Sequence, residues 1–266
     1  MTNMQGLWLG ILQGISEFLP ISSSGHLLLL QRLFGIEANL FSFTIVVHVG
    51  SLIPVLVIYF ARLRGLLFQP FQKMTLLLIA GTLPMVLGVL LLGDTIDALF
   101  TGDFVGVSFL VTGLLMLLVD RAVTGERTAD ELTPRDAVLI GCAQAVAMVP
   151  GISRSGSTIF GGILRGLDRK AAAEFSFLLS VPAIAGATVW ELIGHVTSET
   201  AVANGNAFLL TPPVVIAFFA SMVAGFFAIK VMLRLIVAAK LKYFAYYLFV
   251  LSGLIVFDQL FTNRFF

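Results

Sequence analysis

Glu17, Ser23 and His26 could do chemistry, and all three lie in one polar interruption of an apolar region. The interruption reads Gln13-Gly14-Ile15-Ser16-Glu17-Phe18-Leu19-Pro20-Ile21-Ser22-Ser23-Ser24-Gly25-His26. Gln13 and Glu17 are four residues apart, so on a helix they share one face. Glu17 offers the oxygen donor that a hard divalent cation prefers. Its alternative role is a hydroxyl-paired carboxylate at a wet opening.

A serine nucleophile needs a neighbouring base, and histidine is the usual one. His26 follows Ser23 by three residues, close enough for its ring to approach that hydroxyl. The alternative is a His26 ring whose nitrogens only satisfy nearby polar groups. Because the serines come after Pro20 and before a predicted helix, we expect at least one of Ser22, Ser23 and Ser24 to be its N-cap.

A second interruption carries the complementary charge. It reads Pro150-Gly151-Ile152-Ser153-Arg154-Ser155-Gly156-Ser157-Thr158. A guanidinium makes forked hydrogen bonds to phosphate, and glycines allow backbone N–H groups to approach the same anion. The following helix adds its positive N-terminal end. Arg154 therefore favours phosphoryl chemistry, and the alternative is an ion pair between Arg154 and Glu17.

The composition places these segments in a membrane protein. Of 266 residues, 58% are hydrophobic and 12% are charged, whereas a soluble domain has about a quarter of its residues charged. A net charge of +1 gives no basic field for binding nucleic acid. The single cysteine cannot form an internal disulfide. We expect an all-α polytopic membrane protein.

The apolar pattern predicts six transmembrane helices and two re-entrant helix-loop-helix hairpins. The predicted spans are 41–60, 74–93, 104–120, 171–190, 211–232 and 243–261. Regions 5–36 and 136–167 are each interrupted at their centres, and the halves are too short to cross a bilayer core. Irregular backbone at that depth is tolerated only beside protein or a water-filled cavity.

The two halves of the chain match in order. Gly10, Gln13, Ile21, Ser22, Ser24 and Gly25 align with Gly141, Gln144, Ile152, Ser153, Ser155 and Gly156 at an offset of 131 residues. Later matches keep their order as the offset grows. We therefore expect one membrane domain, 1–266, built from repeat 1 (about 1–122) and repeat 2 (about 134–262). Each repeat has an odd number of crossings, which predicts an inverted-topology repeat.

Basic residues orient the predicted spans. Thirteen of the 16 Lys and Arg residues lie in 61–73, 121–170 excluding Arg154, and 230–242, while connections 93–103 and 191–210 have none. By the positive-inside rule, both termini lie outside. The first hairpin then enters from outside and the second from inside, so we expect their tips to meet near the midplane.

At these two motifs the sequence resembles the undecaprenyl-diphosphate phosphatase family, the integral-membrane type also called bacitracin resistance proteins. The resemblance rests on Gln13 to His26, on Pro150 to Thr158 and on the segment 172–182, and it extends over essentially the whole chain. It implies hydrolysis of undecaprenyl diphosphate to undecaprenyl phosphate and inorganic phosphate. This reaction recycles the lipid carrier for peptidoglycan and other cell-wall polymers, and it confers antibiotic resistance.

The resemblance also implies a location, a cofactor and roles for residues. It implies a bacterial plasma (inner) membrane, with the active-site opening on the outer, periplasmic side, and a divalent cation, Mg2+ or Ca2+. The family's functional acid, serine, histidine and arginine carry onto Glu17, Ser23, His26 and Arg154. Glu17 would also be a metal ligand. Assisting phosphate-binding positions fall at Gln13, Ser22, Ser153, Ser155 and Thr158.

Gln13 departs from the glutamate of many relatives, which puts a metal site of two carboxylates in doubt. The expected partners are a polyprenyl diphosphate substrate and membrane lipids, and a homodimer is left open. Attack by Ser23 and attack by a water activated by His26 are both compatible with the motifs. The functional alternative is a transporter or flippase of a polyprenyl phosphate or another anionic lipid, because inverted repeats with broken helices are also transporter architecture.

Overall fold

Regular structure in the described residues is helical. A computed structural model describes residues 1–36, 41–197 and 211–264, so most of the predicted connection 191–210 lies outside the described residues. The α-helices are α1 Asn3–Phe18, α2 Ser23–Leu33, α3 Phe41–Ile58, α4 Phe60–Phe68, α5 Lys73–Ala98, α6 Val105–Arg121, α7 Pro134–Val146, α8 Arg154–Leu164, α9 Arg169–Thr197, α10 Pro212–Val237 and α11 Lys242–Phe257.

Several of these helices are long and apolar enough to cross a membrane. Four stretches meet this description, namely Lys73–Gly93, Arg169–Trp190, Pro212–Val237 and Lys242–Thr262. A fifth crossing is added if α3 and α4, which meet at 87°, are taken as one broken span. Large apolar side chains such as Leu91 and Leu254 face outward, as contact with lipid requires. The chain is a multi-pass membrane protein whose regular structure is helical in the residues described.

Helix α4 occupies a stretch that the sequence pattern predicts as the basic loop 61–73. Its Leu63 and Leu66 pack against the buried core, while Arg62 and Arg64 lie on the same short helix. Arg62 donates to Asp130 Oδ1 at 2.7 Å. The helix lets Leu63 and Leu66 be partly buried on one side while Arg64 remains exposed.

Two helix pairs, α1–α2 and α7–α8, begin in the same way. Thr2 precedes α1 and Thr133 precedes α7, and each helix start has reciprocal side-chain and backbone hydrogen bonds of the capping-box type. The linker between α1 and α2 (residues 19–22) is called the first tip, and the linker between α7 and α8 (residues 147–153) is called the second tip. Leu19 is extended and precedes Pro20, which ends α1.

The helices after the two tips also match. Ser22 caps α2 by accepting from the Gly25 N–H, and Ser153 caps α8 by accepting from the Gly156 N–H, as predicted for the first tip. A glycine with positive φ, Gly35 or Gly166, lies two residues after the last residue of each helix, and the same backbone hydrogen bonds close both helices there. The two pairs are therefore built alike at three separate points.

The two ends of each pair are joined by hydrogen bonds between equivalent positions. In the second pair, Asp136 of α7 accepts from Arg165 Nε at 2.7 Å and from Arg127 at 3.0 Å. In the first pair, Gln5 of α1 donates to the Phe34 carbonyl at 3.5 Å. Gln5 and Phe34 precede Asp136 and Arg165 by the same 131 residues that relate the two motifs.

Each helix pair packs on a helix from the other half of the chain. Helix α1 crosses α10 at Gly6, Gly10 and Gly14, where an added Cβ would lie 2.3 Å from a carbonyl oxygen of α10. Helix α7 crosses α5 in the same way, because a Cβ on Gly141 would lie 2.3 Å from the Gly81 carbonyl oxygen. Glycines at such crossings let backbones approach closely, which fixes where the two tips lie.

Helix α9 lies at the centre of the molecule. Its apolar window is 56% buried, against 17% for α5 and 22% for α11. Phe177 packs edge-on against Phe18 of α1, with ring centroids 5.7 Å apart. The buried core therefore extends directly to the helix end that carries Glu17.

Candidate active site

The two tips meet at an ion pair between Glu17 and Arg154. Arg154 is the first residue of α8, and its NH2 group lies 2.5 Å from Glu17 Oε1 near the end of α1. The side chain of Glu17 is 6% exposed and that of Arg154 is 16% exposed. The ion pair that the sequence left open as an alternative is therefore present in this structure. A pair this buried depends on both partners, because either charge alone would be costly.

The other oxygen of Glu17 collects two further donors. Ser23 donates its hydroxyl to Oε2 at 2.7 Å, and Gln13 donates its Nε2 to the same atom at 3.0 Å. Gln13 reaches it because the two residues lie one helical turn apart. Glu17 thus joins the predicted nucleophile, the predicted amide and the predicted guanidinium.

The second tip is held by a residue that the motifs did not indicate. Thr112 of α6 donates to the Gly151 carbonyl at 2.8 Å and accepts from the Ser153 N–H at 3.1 Å. Gly151 has a φ of 93° and lies against Ser108, where a side chain would be 2.5 Å from Ser108 Cβ. This turn therefore needs glycine for both its backbone conformation and its packing.

The remaining predicted serines and threonine join elements to one another. Ser155 donates to the Leu19 carbonyl at 3.2 Å and so bonds the second tip to the first. Thr158 exchanges a 2.6 Å hydrogen bond with Ser176 of α9. Ser22 and Ser153 act as helix caps. These four residues support the tips in this structure, and their predicted contacts with phosphate stay predictions.

His26 makes different contacts from the one that the sequence indicates, which is with Ser23. Its Nδ1 is 2.7 Å from the Ser22 carbonyl and its Nε2 is 2.8 Å from the Tyr247 hydroxyl. The ring stacks on Tyr247 and packs beside Phe109. Ser23 donates to Glu17 and not to His26, so the predicted action of His26 as the base for Ser23 stays a prediction that requires the ring to leave Tyr247.

A different histidine faces Glu17. His48 of α3 has its Nε2 3.7 Å from Glu17 Oε2, and its Nδ1 donates to the Thr44 carbonyl at 2.8 Å. Because a carbonyl can only accept, Nδ1 of His48 carries a proton, and Nε2 is the nitrogen directed to Glu17. From the sequence, His48 is a weaker candidate within a span: it is either a partner of the site or a histidine of the bundle interior bonded to a hydroxyl, and no motif distinguishes the two.

Glu17, Ser23, His48, Gln144 and Arg154 line a cavity of about 160 Å³. A larger apolar groove of about 880 Å³ adjoins it. The groove lies between α5 and α9 and includes Val89, Leu92, Phe100, Gly186 and Trp190. The two spaces share His48, Met85, Met148, Ala183 and Ala187. A charged pocket is thus continuous with an apolar groove.

Three buried polar atoms at the site lack a hydrogen-bond partner within the described residues. They are Gln13 Oε1, Gln144 Oε1 and Arg154 NH1. Gln13 is hydrogen-bonded to Glu17, and Gln144 lines the same cavity as Glu17, so the site contains amide and carboxylate oxygens of the kind that a hard cation such as Mg2+ or Ca2+ prefers. The described residues contain no cluster of three His, Cys, Asp or Glu side chains that could hold a metal by itself. The donor set therefore fits a cation that is also held by substrate oxygens and water.

The sequence matches one protein-family model and many curated proteins. The model described as "Bacitracin resistance protein BacA" matches residues 6–254. A protein of Carboxydothermus hydrogenoformans named "Undecaprenyl-diphosphatase" is 42% identical over 253 residues, covering 95% of each chain. A protein of the same name from Halothermothrix orenii is 39% identical over 94% of this chain and 95% of its own. "Undecaprenyl-diphosphatase 4" of Bacillus thuringiensis is 41% identical over 98% and 99%.

Proposed function

Because the chain belongs to the bacitracin resistance protein BacA family, we propose that it hydrolyses undecaprenyl diphosphate to undecaprenyl phosphate and inorganic phosphate. The observation that carries this proposal is the ion pair of Glu17 and Arg154, with Ser23 hydrogen-bonded to it, at the inner end of an apolar groove. A phosphate fork, a nucleophile and an acceptor for its proton suit the diphosphate, and the groove suits its prenyl tail.

The proposed reaction recycles a lipid carrier for cell-wall synthesis and confers resistance to bacitracin. The enzyme would act in the bacterial plasma membrane with its opening on the outer side. Six spans and two re-entrant hairpins in an inverted repeat are the proposed topology. The matched caps, tips and closures of α1–α2 and α7–α8 support that repeat, as does the packing of each pair on the other half of the chain.

Arg154 binds the terminal phosphate in the proposed mechanism. Its NH1 group has no partner in the described residues and can donate to a phosphate oxygen while NH2 contacts Glu17. Preorganised donors that meet developing charge in a dry site are worth about 10²- to 10³-fold in rate. The two tips supply that preorganisation because the pair is already assembled before substrate enters.

Ser23 attacks the terminal phosphorus in the proposed step. The bridging P–O bond breaks, undecaprenyl phosphate leaves, and the hydroxyl proton passes to Glu17 Oε2, which already accepts it at 2.7 Å. Water then hydrolyses the phosphoserine. Direct attack by water is the rival path, with His26 as its predicted base, and a trapped phosphoserine would exclude that path.

The order of lining residues gives the substrate an orientation. Arg154 and Ser23 line only the pocket, whereas His48 lines both the pocket and the groove. The terminal phosphate therefore lies at Arg154, the prenyl-linked phosphate lies toward His48, and the tail follows the groove. A divalent cation held by Glu17, Gln13 and Gln144 would neutralise negative charge on the phosphates.

A flippase is the alternative, because two hairpins of like construction also suit transport. Transport alone needs no serine nucleophile bonded to a carboxylate, and the relatives are named as diphosphatases. Hydrolysis is therefore the favoured function.

The test is phosphate release from undecaprenyl diphosphate by purified protein in detergent. It compares Mg2+, Ca2+ and chelator, and it compares Arg154→Ala with Arg135→Ala, an exposed arginine of α7. We expect metal-dependent release that falls by at least about 10²-fold in Arg154→Ala and is retained in Arg135→Ala. Absence of release from folded wild type under all three conditions would overturn the proposal.

A further inference from the structure

Tyr247 of α11 is bonded to the one histidine of the first motif. The Tyr247 hydroxyl lies 2.8 Å from His26 Nε2, although the residues are 221 positions apart. Their rings are nearly parallel, at 18°, with centroids 5.7 Å apart. Phe109 of α6 packs on the His26 ring with its centroid at 4.9 Å. The imidazole is therefore fixed by a hydrogen bond at each nitrogen and by two aromatic neighbours.

The hydrogen-bond partners determine which nitrogen of His26 carries the proton. The Ser22 carbonyl can only accept, so His26 Nδ1 must donate to it across 2.7 Å. In the neutral ring, Nε2 then carries the lone pair, and the Tyr247 hydroxyl donates to it. Tyr247 thus selects the tautomer that holds the Ser22 carbonyl, as outer partners of functional histidines commonly do.

The Ser22 carbonyl belongs to a strained residue. Ser22 has a φ of 72°, which side chains other than glycine rarely adopt. Such a conformation persists only when its surroundings hold it. Ser22 also caps α2, and the next residue is Ser23, whose hydroxyl must reach Glu17. The direction of Ser23 therefore depends on how firmly the backbone at Ser22 is held.

We propose that Tyr247 is a positioning residue that acts through His26 to hold Ser22 and direct Ser23 at Glu17. The inference rests on the proposed function, since it assigns Tyr247 to the same site. Tyr247 itself does not line the pocket, so its effect passes through His26 and the first tip. It also gives α11 a part in the reaction.

The first arm of the test measures turnover in Tyr247→Phe. Phenylalanine keeps the ring against His26 and removes the hydroxyl. The matched control is Tyr246→Phe, which removes the hydroxyl of the neighbouring exposed tyrosine. We expect kcat for undecaprenyl diphosphate to fall about tenfold in Tyr247→Phe, as for one lost hydrogen bond that orients a reacting group. KM should stay within about twofold, because the phosphate and tail contacts are unchanged.

The second arm observes the contact without turnover. Nitrogen NMR of the purified protein labelled at its three histidine rings should show a non-protonated nitrogen for each neutral ring, and the signal of His26 is identified by its loss in His26→Asn. We expect this signal to move in Tyr247→Phe and to keep its position in Tyr246→Phe. Melting temperatures of both variants measure whether a fall in kcat merely follows a fall in the folded fraction.

The outcomes separate this inference from the proposed function. A wild type that is folded and inactive overturns hydrolysis and with it any positioning role. An active wild type overturns only the positioning role if Tyr247→Phe and Tyr246→Phe have equal kcat, if the His26 signal does not move, or if lost activity equals the lost folded fraction. A selective fall in kcat with a moved His26 signal supports the role of the hydroxyl.

Discussion

At the scale of single residues, the buried pair of Glu17 and Arg154 has two effects of opposite sign. It provides the site with a preorganised charge, but it also places two ions where water is largely excluded. Such pairs contribute little net stability compared with apolar substitutes, whereas removing one partner leaves an expensive charge. The pair should therefore be important for function and dispensable for folding.

We expect Arg154→Met to lower the free energy of unfolding by about 3 to 5 kcal/mol, because Glu17 is left without its cation. The double variant Glu17→Gln/Arg154→Met should recover most of that loss and should remain inactive. Thermal melts in detergent, run beside phosphate release, measure both quantities. A double variant less stable than Arg154→Met would contradict the electrostatic explanation.

Some site residues could be predicted from the sequence because they lie within a few residues of one another. Helical spacing brings Gln13 to Glu17, and the short first tip brings Ser23 of α2 back to the same carboxylate. His48 and Tyr247 come from distant helices, and each is one of several polar residues in an otherwise apolar span, with no motif around it. Their positions at the site depend on how the helices pack, and this packing cannot be predicted from spacing along the chain.

At the scale of elements, the positions of helices follow the hydrophobic pattern closely. Each predicted span contains a helix, and the breaks between α1 and α2 and between α7 and α8 overlap the two predicted interruptions. The pattern missed α4, because Arg62 and Arg64 are typical of a basic loop that anchors the topology. The predicted span 171–190 coincides with the apolar stretch Arg169–Trp190, and α9 itself continues to Thr197. Apolar periodicity reports burial in lipid or protein, but it does not report where helical hydrogen bonding stops.

The close crossing of α5 and α7 depends on glycine at position 141. We expect Gly141→Ala to destabilise the protein and reduce turnover, because its Cβ would be 2.3 Å from the Gly81 carbonyl and α7 would have to move away from α5. Gly253→Ala on α11 is the matched control, since an added Cβ there meets nothing within 4 Å. Alanine is the better helix former by about 1 kcal/mol, so the control should be neutral or slightly stabilising in a thermal melt.

Equal melting temperatures for Gly141→Ala and Gly253→Ala would show that the close crossing of α5 and α7 is not needed. A fall in turnover without a fall in stability would place the effect in the second tip, which α7 carries.

At the scale of the whole molecule, the pocket and the groove make one path from the lipid-facing surface to the tips. Gly186 lines the groove but not the pocket, and an added Cβ there meets nothing within 4 Å. We expect Gly186→Phe to raise KM for undecaprenyl diphosphate about tenfold by occupying space meant for the tail. Inhibition by inorganic phosphate, which needs only the pocket, should stay unchanged.

Gly253→Phe provides the same substitution at a position outside the groove, and both kinetic constants should match wild type. If Gly186→Phe leaves KM for the lipid unchanged, the prenyl tail takes another route and the orientation of the substrate must be revised.

The exchange of packing partners between the halves also affects biosynthesis. Helix α1 ends at Phe18, but its close-packed partner α10 begins at Pro212. At 5 to 20 residues per second, the ribosome needs about 10 to 40 s to reach that partner after completing α1. Throughout that interval the glycine-lined side of α1 has only lipid, the translocation machinery or a chaperone to contact. Slowing of translation or early release of the chain would therefore harm the first segment to be made, although that segment is itself intact.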